Sequence, residues 1–153
     1  MQLTFSGSPE VAAPREVLWA RLLDPSAVAG CAPGVESVEA LDEARYKVVC
    51  AFGVGAIKAR FTLHVELADL APPEAAKMRA HGTAPGSVVD VQTGIRLESL
   101  GPTQTRLHWT AEATIGGTIA SVGARLFEGT ARKIINRFWQ DFAAKTSASI
   151  LPA

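Results

Sequence analysis

Strict two-residue alternation of apolar and polar side chains is the feature that most constrains this chain. From Ile57 the sequence sets Ile57, Ala59, Phe61, Leu63, Val65 and Leu67 on one face, against Lys58, Arg60, Thr62, His64 and Glu66 on the other. Two further runs repeat the pattern: Val89, Val91, Thr93, Ile95, Leu97, and Leu107, Trp109, Ala111, Ala113, Ile115. Successive strand side chains point to opposite faces, so each run is a strand with one face packed and one face wet. One-faced strands of this kind build antiparallel sheets. Weaker alternation over Tyr46–Phe52 and Ala76–Ala84 adds two strands, and shorter ones are predicted near Gln2–Ser6 and Val35–Ala40. Turn clusters such as Ala71-Pro72-Pro73-Glu74 and Ala84-Pro85-Gly86 are short enough to join neighbours as hairpins.

Helical spacing occurs in two places. Pro14 opens a helix carrying Val17, Leu18, Arg21 and Leu22, and Asp24-Pro25 ends it. A second short helix spans Ser26–Ala29. The third is predicted to run unbroken from just after Gly116-Gly117 to about Ser147. Its rear half carries Phe127, Ala131, Ile134, Ile135, Phe138 and Phe142 within an arc of roughly 100°. The predicted order is one strand, two short helices, six strands and one long C-terminal helix. That is an α+β chain in which a seven-stranded curved antiparallel sheet wraps around the last helix, burying both apolar faces at once. Residues 1–153 read as a single domain.

Composition excludes several functions. Lys plus Arg (15) balances Asp plus Glu (15), so there is no basic field for nucleic acid. Two cysteines, Cys31 and Cys50, supply neither a disulfide framework nor a four-cysteine zinc site. The opening MQLTFSGSPE lacks a basic n-region and an apolar h-region, and no run reaches the ~18 apolar residues needed to span a bilayer. A soluble cytoplasmic protein is expected.

The inward strand face is unusually small. Ala59, Ala76, Ala80, Gly82, Ala84, Ala111 and Ala113 all fall on it, and Ala120, Gly123 and Ala124 are expected to turn toward it from the long helix. Interiors pack to crystal-like density, so sheet and helix either close up tightly or leave a hole. In the second case the hole is an apolar cavity lined by Val48, Phe61, Leu63, Met78, Val91, Trp109 and Phe127, with the small residues as its floor. Thr93, Cys50 and Tyr46 are then its few polar groups. An unpaired buried charge is expensive, so such a cavity suits a flat or elongated hydrophobic molecule with one or two carbonyls.

A mouth is expected at two loops, Cys31-Ala32-Pro33-Gly34 and Gly116-Gly117-Thr118. Beside it, Ile119, Val122 and Leu126 form an aliphatic group off the helix stripe. That group is either covered by the early helices or exposed as a contact for a partner or membrane surface.

No catalytic constellation is visible. His64, His81 and His108 all fall on polar strand faces without a helical His or Glu partner, and no nucleophile elbow, P-loop or dinucleotide fingerprint is present. Cys31 lacks an adjacent base to activate it.

Several segments, in order, resemble the CoxG family. These are Pro14-Arg15-Glu16-Val17-Leu18-Trp19, Cys31-Ala32-Pro33-Gly34-Val35-Glu36, Gly53-Val54-Gly55-Ala56-Ile57-Lys58 and Ile115-Gly116-Gly117-Thr118-Ile119-Ala120-Ser121-Val122-Gly123. The family comprises members of the START/Bet v 1-like (SRPBCC) superfamily that are similar to the G subunit of carbon monoxide dehydrogenase. The resemblance implies a helix-grip fold with a deep hydrophobic cavity. It also implies a role beside a molybdenum hydroxylase such as aerobic CO dehydrogenase, in maturation, membrane recruitment or quinone delivery. No covalently bound cofactor is expected, and the bound molecule is expected to be a quinone or other lipophilic ligand. Transient contact with the inner face of the membrane and a homodimer are compatible with this reading. Some members carry a C-terminal apolar anchor, which Ile150-Leu151-Pro152-Ala153 does not resemble. Three functions compete: a carrier of a lipophilic molecule, a cyclase- or hydratase-like enzyme acting on an aromatic polyketide-like substrate, and an assembly factor whose cavity is incidental.

Overall fold

The computed structural model describes residues 1–149; Ile150-Leu151-Pro152-Ala153, on which the expectation about anchoring rests, lie outside the described residues. The elements follow in the order β1 (Gln2–Gly7), β2 (Glu10–Val11), α1 (Arg15–Leu22), α2 (Pro25–Ala29), β3 (Val35–Ala40), β4 (Arg45–Val54), β5 (Ile57–Ala71), β6 (Ala75–Ala84), β7 (Ser87–Gly101), β8 (Gln104–Gly117), a 3-10 turn (Thr118–Val122) and α3 (Ala124–Ser149). All strand pairs are antiparallel, in the spatial order β1-β8-β7-β6-β5-β4-β3. The seven expected strands are therefore present. The addition is β2, two residues paired with Arg106 and Thr105 of β8, too short to show a period.

Register explains what faces inward. One cross-strand row runs Tyr46, Val65, Ala80, Val91, Ala113 and Leu3 from β4 to β1. The next runs Leu67, Met78, Thr93, Ala111 and Phe5, and the one beyond it Ala76, Ile95, Trp109 and Gly7. The apolar face read from each strand thus becomes one continuous inner surface. The long helix approaches that surface mainly at its margins, β1 and β2 on one side and β4 on the other. Its apolar stripe points inward as expected, with Phe127 and Phe142 buried. Burying one such side chain stabilises by about 1.5–3 kcal/mol.

Two buried clusters flank the centre. One groups Tyr46, Val48, Val54, Phe61, Val65, Ile115, Ile119 and Phe127. The other groups Phe5, Val11, Leu18, Leu97, Leu107, Trp109 and Phe142. The short helices are punctuated by one dipeptide: Asp24 accepts a hydrogen bond from the Ser26 N–H at 3.0 Å, and Pro25 occupies the first turn of α2.

The long helix begins later than the sequence predicts. Residues Thr118–Val122 wind as a 3-10 turn, and Gly123 leaves helical geometry at φ +93° before α3 starts at Ala124. A glycine without a Cβ adopts that angle freely, so one residue's backbone breaks the apparent continuity of the pattern. The break rotates Ile119 off the projected helix surface into the core, where it is fully buried.

Candidate functional site

Several inward residues of the central strands are only half-buried: Met78 on β6 and Val89, Val91, Thr93 and Ile95 on β7. Met78, Val89, Val91 and Ile95 pack against a core cluster on one side, and all five keep their residual exposure toward an adjoining space. That space is a cavity between the sheet and α3 with two adjoining lobes, of about 350 and 360 Å³. Both lobes share Val28, Ala32, Pro33, Tyr46, Met78, Val89, Val91, Phe127, Ala131, Ile134 and Ile135. The first extends toward Trp19, Leu22 and Leu23 at the α1 end and Thr93, Trp109, Ala111, Phe138 and Trp139. The second extends toward Val48, Cys50, Phe52, Phe61, Leu63 and Ala80.

Both outcomes foreseen for the small residues occur, in different places. Ala76, Ala80, Ala111 and Ala113 front the cavity. Gly82 instead lies under Leu63, whose side chain occupies the space a Cβ would need, and Ala59 and Ala84 pack against the core. Of the residues expected to line a cavity, Val48, Phe61, Leu63, Met78, Ala80, Val91, Thr93, Trp109, Ala111, Ala113 and Phe127 do so. Ala120 and Gly123 do not: the 3-10 turn packs Ala120 against the core, and a Cβ on Gly123 would meet open space.

The expected mouth is corrected in several parts. Pro33 lines both lobes, but Cys31 is buried in the core cluster beneath α1. Gly34, at φ +82°, holds a close approach to β4, where the Ala51 N–H donates to its carbonyl at 2.9 Å. Gly117 pairs with Ser87 at the end of β8, and neither of these glycines reaches the lining. The aliphatic group is also dispersed. Ile119 is core, Val122 is half-buried against it, and Leu126 alone is exposed, 48%. The broken helix places these three on different surfaces.

Aromatic pairs wall the two ends. Trp109 stacks on Trp139 with ring centroids 5.7 Å apart, and Phe52 stacks on Phe61 at 5.1 Å. Trp139 falls outside the predicted lining because it sits about 40° beyond the edge of the apolar stripe, where a large indole still reaches inward. Trp19 and Leu22 on α1, and Leu23 just after it, also fall outside it, since helical spacing does not say where α1 docks. The adjacent apolar pair Leu22-Leu23 at the end of α1 is the one signal that points to them.

Polar groups are few. Tyr46, Thr93, Cys50, Thr130 and Lys77 are the polar lining residues, and the Lys77 ammonium turns outward to Asp69 at 3.5 Å. Burial raises the Tyr46 phenol and the Cys50 thiol above their ordinary pKa, so both stay protonated at neutral pH. Burial likewise raises the Cys31 thiol, partly offset by Lys145 and Arg21. The histidines lie on the outer face: His81 is exposed, His64 points away from the cavity, and His108 is held between Ser8 at 3.1 Å and Glu98 at 3.0 Å. Among the described residues no cluster of His, Cys, Asp and Glu could hold a metal ion, and no helix is long and apolar enough to cross a membrane.

A curved antiparallel sheet closed by a long C-terminal helix over an apolar cavity is the fold of the START/Bet v 1-like helix-grip class. Within that class, residues 7–147 match the model of CoxG, the G subunit of carbon monoxide dehydrogenase, and the chain belongs to that family. Among solved structures it is similar to a conserved protein from Geobacillus kaustophilus, at 29% identity over 96% of this chain and 97% of that one, with a TM-score of 0.88. It is also similar to the ZhuI aromatase/cyclase from Streptomyces sp. R1128, at 18% identity, 99% and 97% coverage and a TM-score of 0.75. A START superfamily protein from Mycobacterium smegmatis is similar at 12% identity, 95% and 97% coverage and a TM-score of 0.70. No curated protein matches the sequence.

Proposed function

We propose that this chain is a non-catalytic carrier of a lipophilic molecule, most concretely a respiratory quinone, serving a molybdenum hydroxylase of the aerobic CO dehydrogenase kind. The observation that carries the reading is the two-lobed cavity, each lobe of about 350–360 Å³, within the range of small-molecule sites. Its walls are aliphatic and aromatic, and its one charged lining residue directs its ammonium to Asp69 outside. A neutral, flat, greasy molecule is what such walls accept without an uncompensated charge. Membership of the CoxG family supports a redox-enzyme partner, and in this reading the carrier touches the inner membrane face transiently to load.

The test is mass spectrometry of organic extracts from natively purified protein, followed by quinone transfer between liposomes and the partner enzyme. A co-purifying quinone or isoprenoid lipid, with protein-dependent transfer, is expected. Turnover of an aromatic polyketide-like substrate would replace the carrier with the cyclase reading. Protein free of lipophilic ligand that still promotes assembly of the partner would make the cavity incidental.

A further inference from the structure

Three hydroxyl-bearing residues of the described chain are buried: Thr105, Thr146 and Tyr46. Thr105 donates to the Ala13 carbonyl at 2.9 Å, and Thr146 accepts from Arg21 Nε at 3.0 Å. Tyr46 takes part in no side-chain hydrogen bond among the described residues, yet it is only 6% exposed. Its ring lies on the inner face of β4, and it belongs to the lining of both lobes. Across the sheet its register neighbours are Val65 and then Ala80, which offer no side-chain acceptor. The phenol oxygen is not a sealed, unpartnered atom: it still meets open space, which for a residue lining both lobes is the cavity, and a bound molecule can supply its partner there.

Resting on the carrier reading, we propose that Tyr46 is the polar anchor of the cavity, its phenol O–H donating a hydrogen bond to a carbonyl oxygen of a lipophilic ligand seated where the lobes meet. The acceptor class follows from chemistry. The phenol needs a lone pair, and a carbonyl supplies one while bringing no proton that requires a further acceptor. Thr93, the other hydroxyl on the sheet face, lies three strands away on β7, about 14 Å along the sheet, and does not serve the same atom. Desolvation holds the phenol protonated across the neutral range, so it remains a donor. The ligand class is therefore a ketone, quinone or ester on an apolar frame.

The experiment uses a matched pair of probes sharing one skeleton: menadione, which carries two carbonyls, and 2-methylnaphthalene, which carries none. Equilibrium dialysis of the full chain is expected to show Tyr46→Phe weakening menadione about tenfold, one neutral hydrogen bond's worth, with 2-methylnaphthalene changed less than twofold. Thr93→Val is expected to leave menadione binding within twofold. In the wild type, one carbonyl stretch of bound menadione shifts to lower frequency than in hexane, a readout that does not depend on how the variant folds. An unshifted stretch, or equal effects of Tyr46→Phe on both probes, overturns the anchor. Wild-type protein that binds both probes without preference removes the anchor and leaves the apolar-cavity reading standing. Wild-type protein that binds neither removes both.

Discussion

Arg21 of α1 donates from Nε to Thr146 Oγ of α3 at 3.0 Å, across 125 residues of sequence, while its guanidinium carbon lies 5.8 Å from the centre of the Phe142 ring. Thr146 is fully buried, so this bond fixes the rear of the long helix to the short helix that walls one lobe. Lys145 adds a second tie by donating to the Gly30 carbonyl at 2.9 Å. Thr146→Val keeps the shape and removes the acceptor. It is expected to destabilise by about 1–2 kcal/mol, read from urea denaturation, and to loosen hydrogen exchange in the last turns of α3 before the sheet.

Ala111 tests whether the cavity is empty space. In a packed core, a larger side chain forces strain costing about 1–3 kcal/mol. Because Ala111 fronts the first lobe, Ala111→Leu is expected to leave the melting temperature unchanged or higher while lowering binding of a lipophilic probe at least tenfold. A drop in stability together with unchanged binding would show that the lobe is filled by protein.

Two glycines with positive φ should respond differently to alanine. A Cβ on Gly123 (φ +93°) meets nothing, whereas on Gly34 (φ +82°) it collides with the Ala51 carbonyl oxygen. Gly123→Ala is expected to cost about 1–3 kcal/mol from backbone strain alone. Gly34→Ala is expected to cost distinctly more, because the β3–β4 junction must also shift. Denaturant titrations of the pair check the order, and equal losses would contradict it.

Acid sensitivity has a named contributor. The hydrogen bond and charge of His108, with help from Arg106 and Arg96, hold the Glu98 carboxyl below the ordinary glutamate range. A depressed folded-state pKa stabilises fully above the unfolded value and is lost as pH falls through the folded one. The melting-temperature gap between wild type and Glu98→Gln is therefore expected to be widest at neutral pH and to close as pH drops below the ordinary glutamate range. A gap that widens in acid would refute the assignment.

The two thiols should be slow to alkylate. Burial raises both, Cys50 in the second lobe and Cys31 beneath α1. Iodoacetamide at neutral pH is expected to label neither within the time that labels both in urea. Filling the cavity with a lipophilic probe should slow Cys50 further and leave Cys31 unchanged.

The sheet was legible in the sequence because alternation writes burial directly onto residue type. Runs such as Ile57–Leu67 allow one register of face to core, and the structure uses it. The small inward residues were legible for the same reason, but residue type left open whether they close up or leave space: Ala76, Ala80, Ala111 and Ala113 front the cavity, whereas Gly82, Ala59 and Ala84 pack. Two features were hidden. The break at Gly123 turns on one backbone angle, and helical spacing is blind to it when flanking residues keep the pattern. The contribution of α1 to the lining depends on where a short helix docks, which is decided by distant contacts such as Arg21 with Thr146.

The floor of the cavity sits on four alanines, Ala76, Ala80, Ala111 and Ala113, carried by β6 and β8 on either side of β7, strands whose backbones are already paired. Ladder hydrogen bonds hold those strands whatever side chain stands there, while the side chain alone decides how deep the space beneath α3 is. Cavity shape and fold integrity thus rest on different atoms. Substitution at these four sites reshapes the space beneath α3 and leaves the strand pairing in place, so the cavity can be resized one methyl group at a time without rebuilding the sheet.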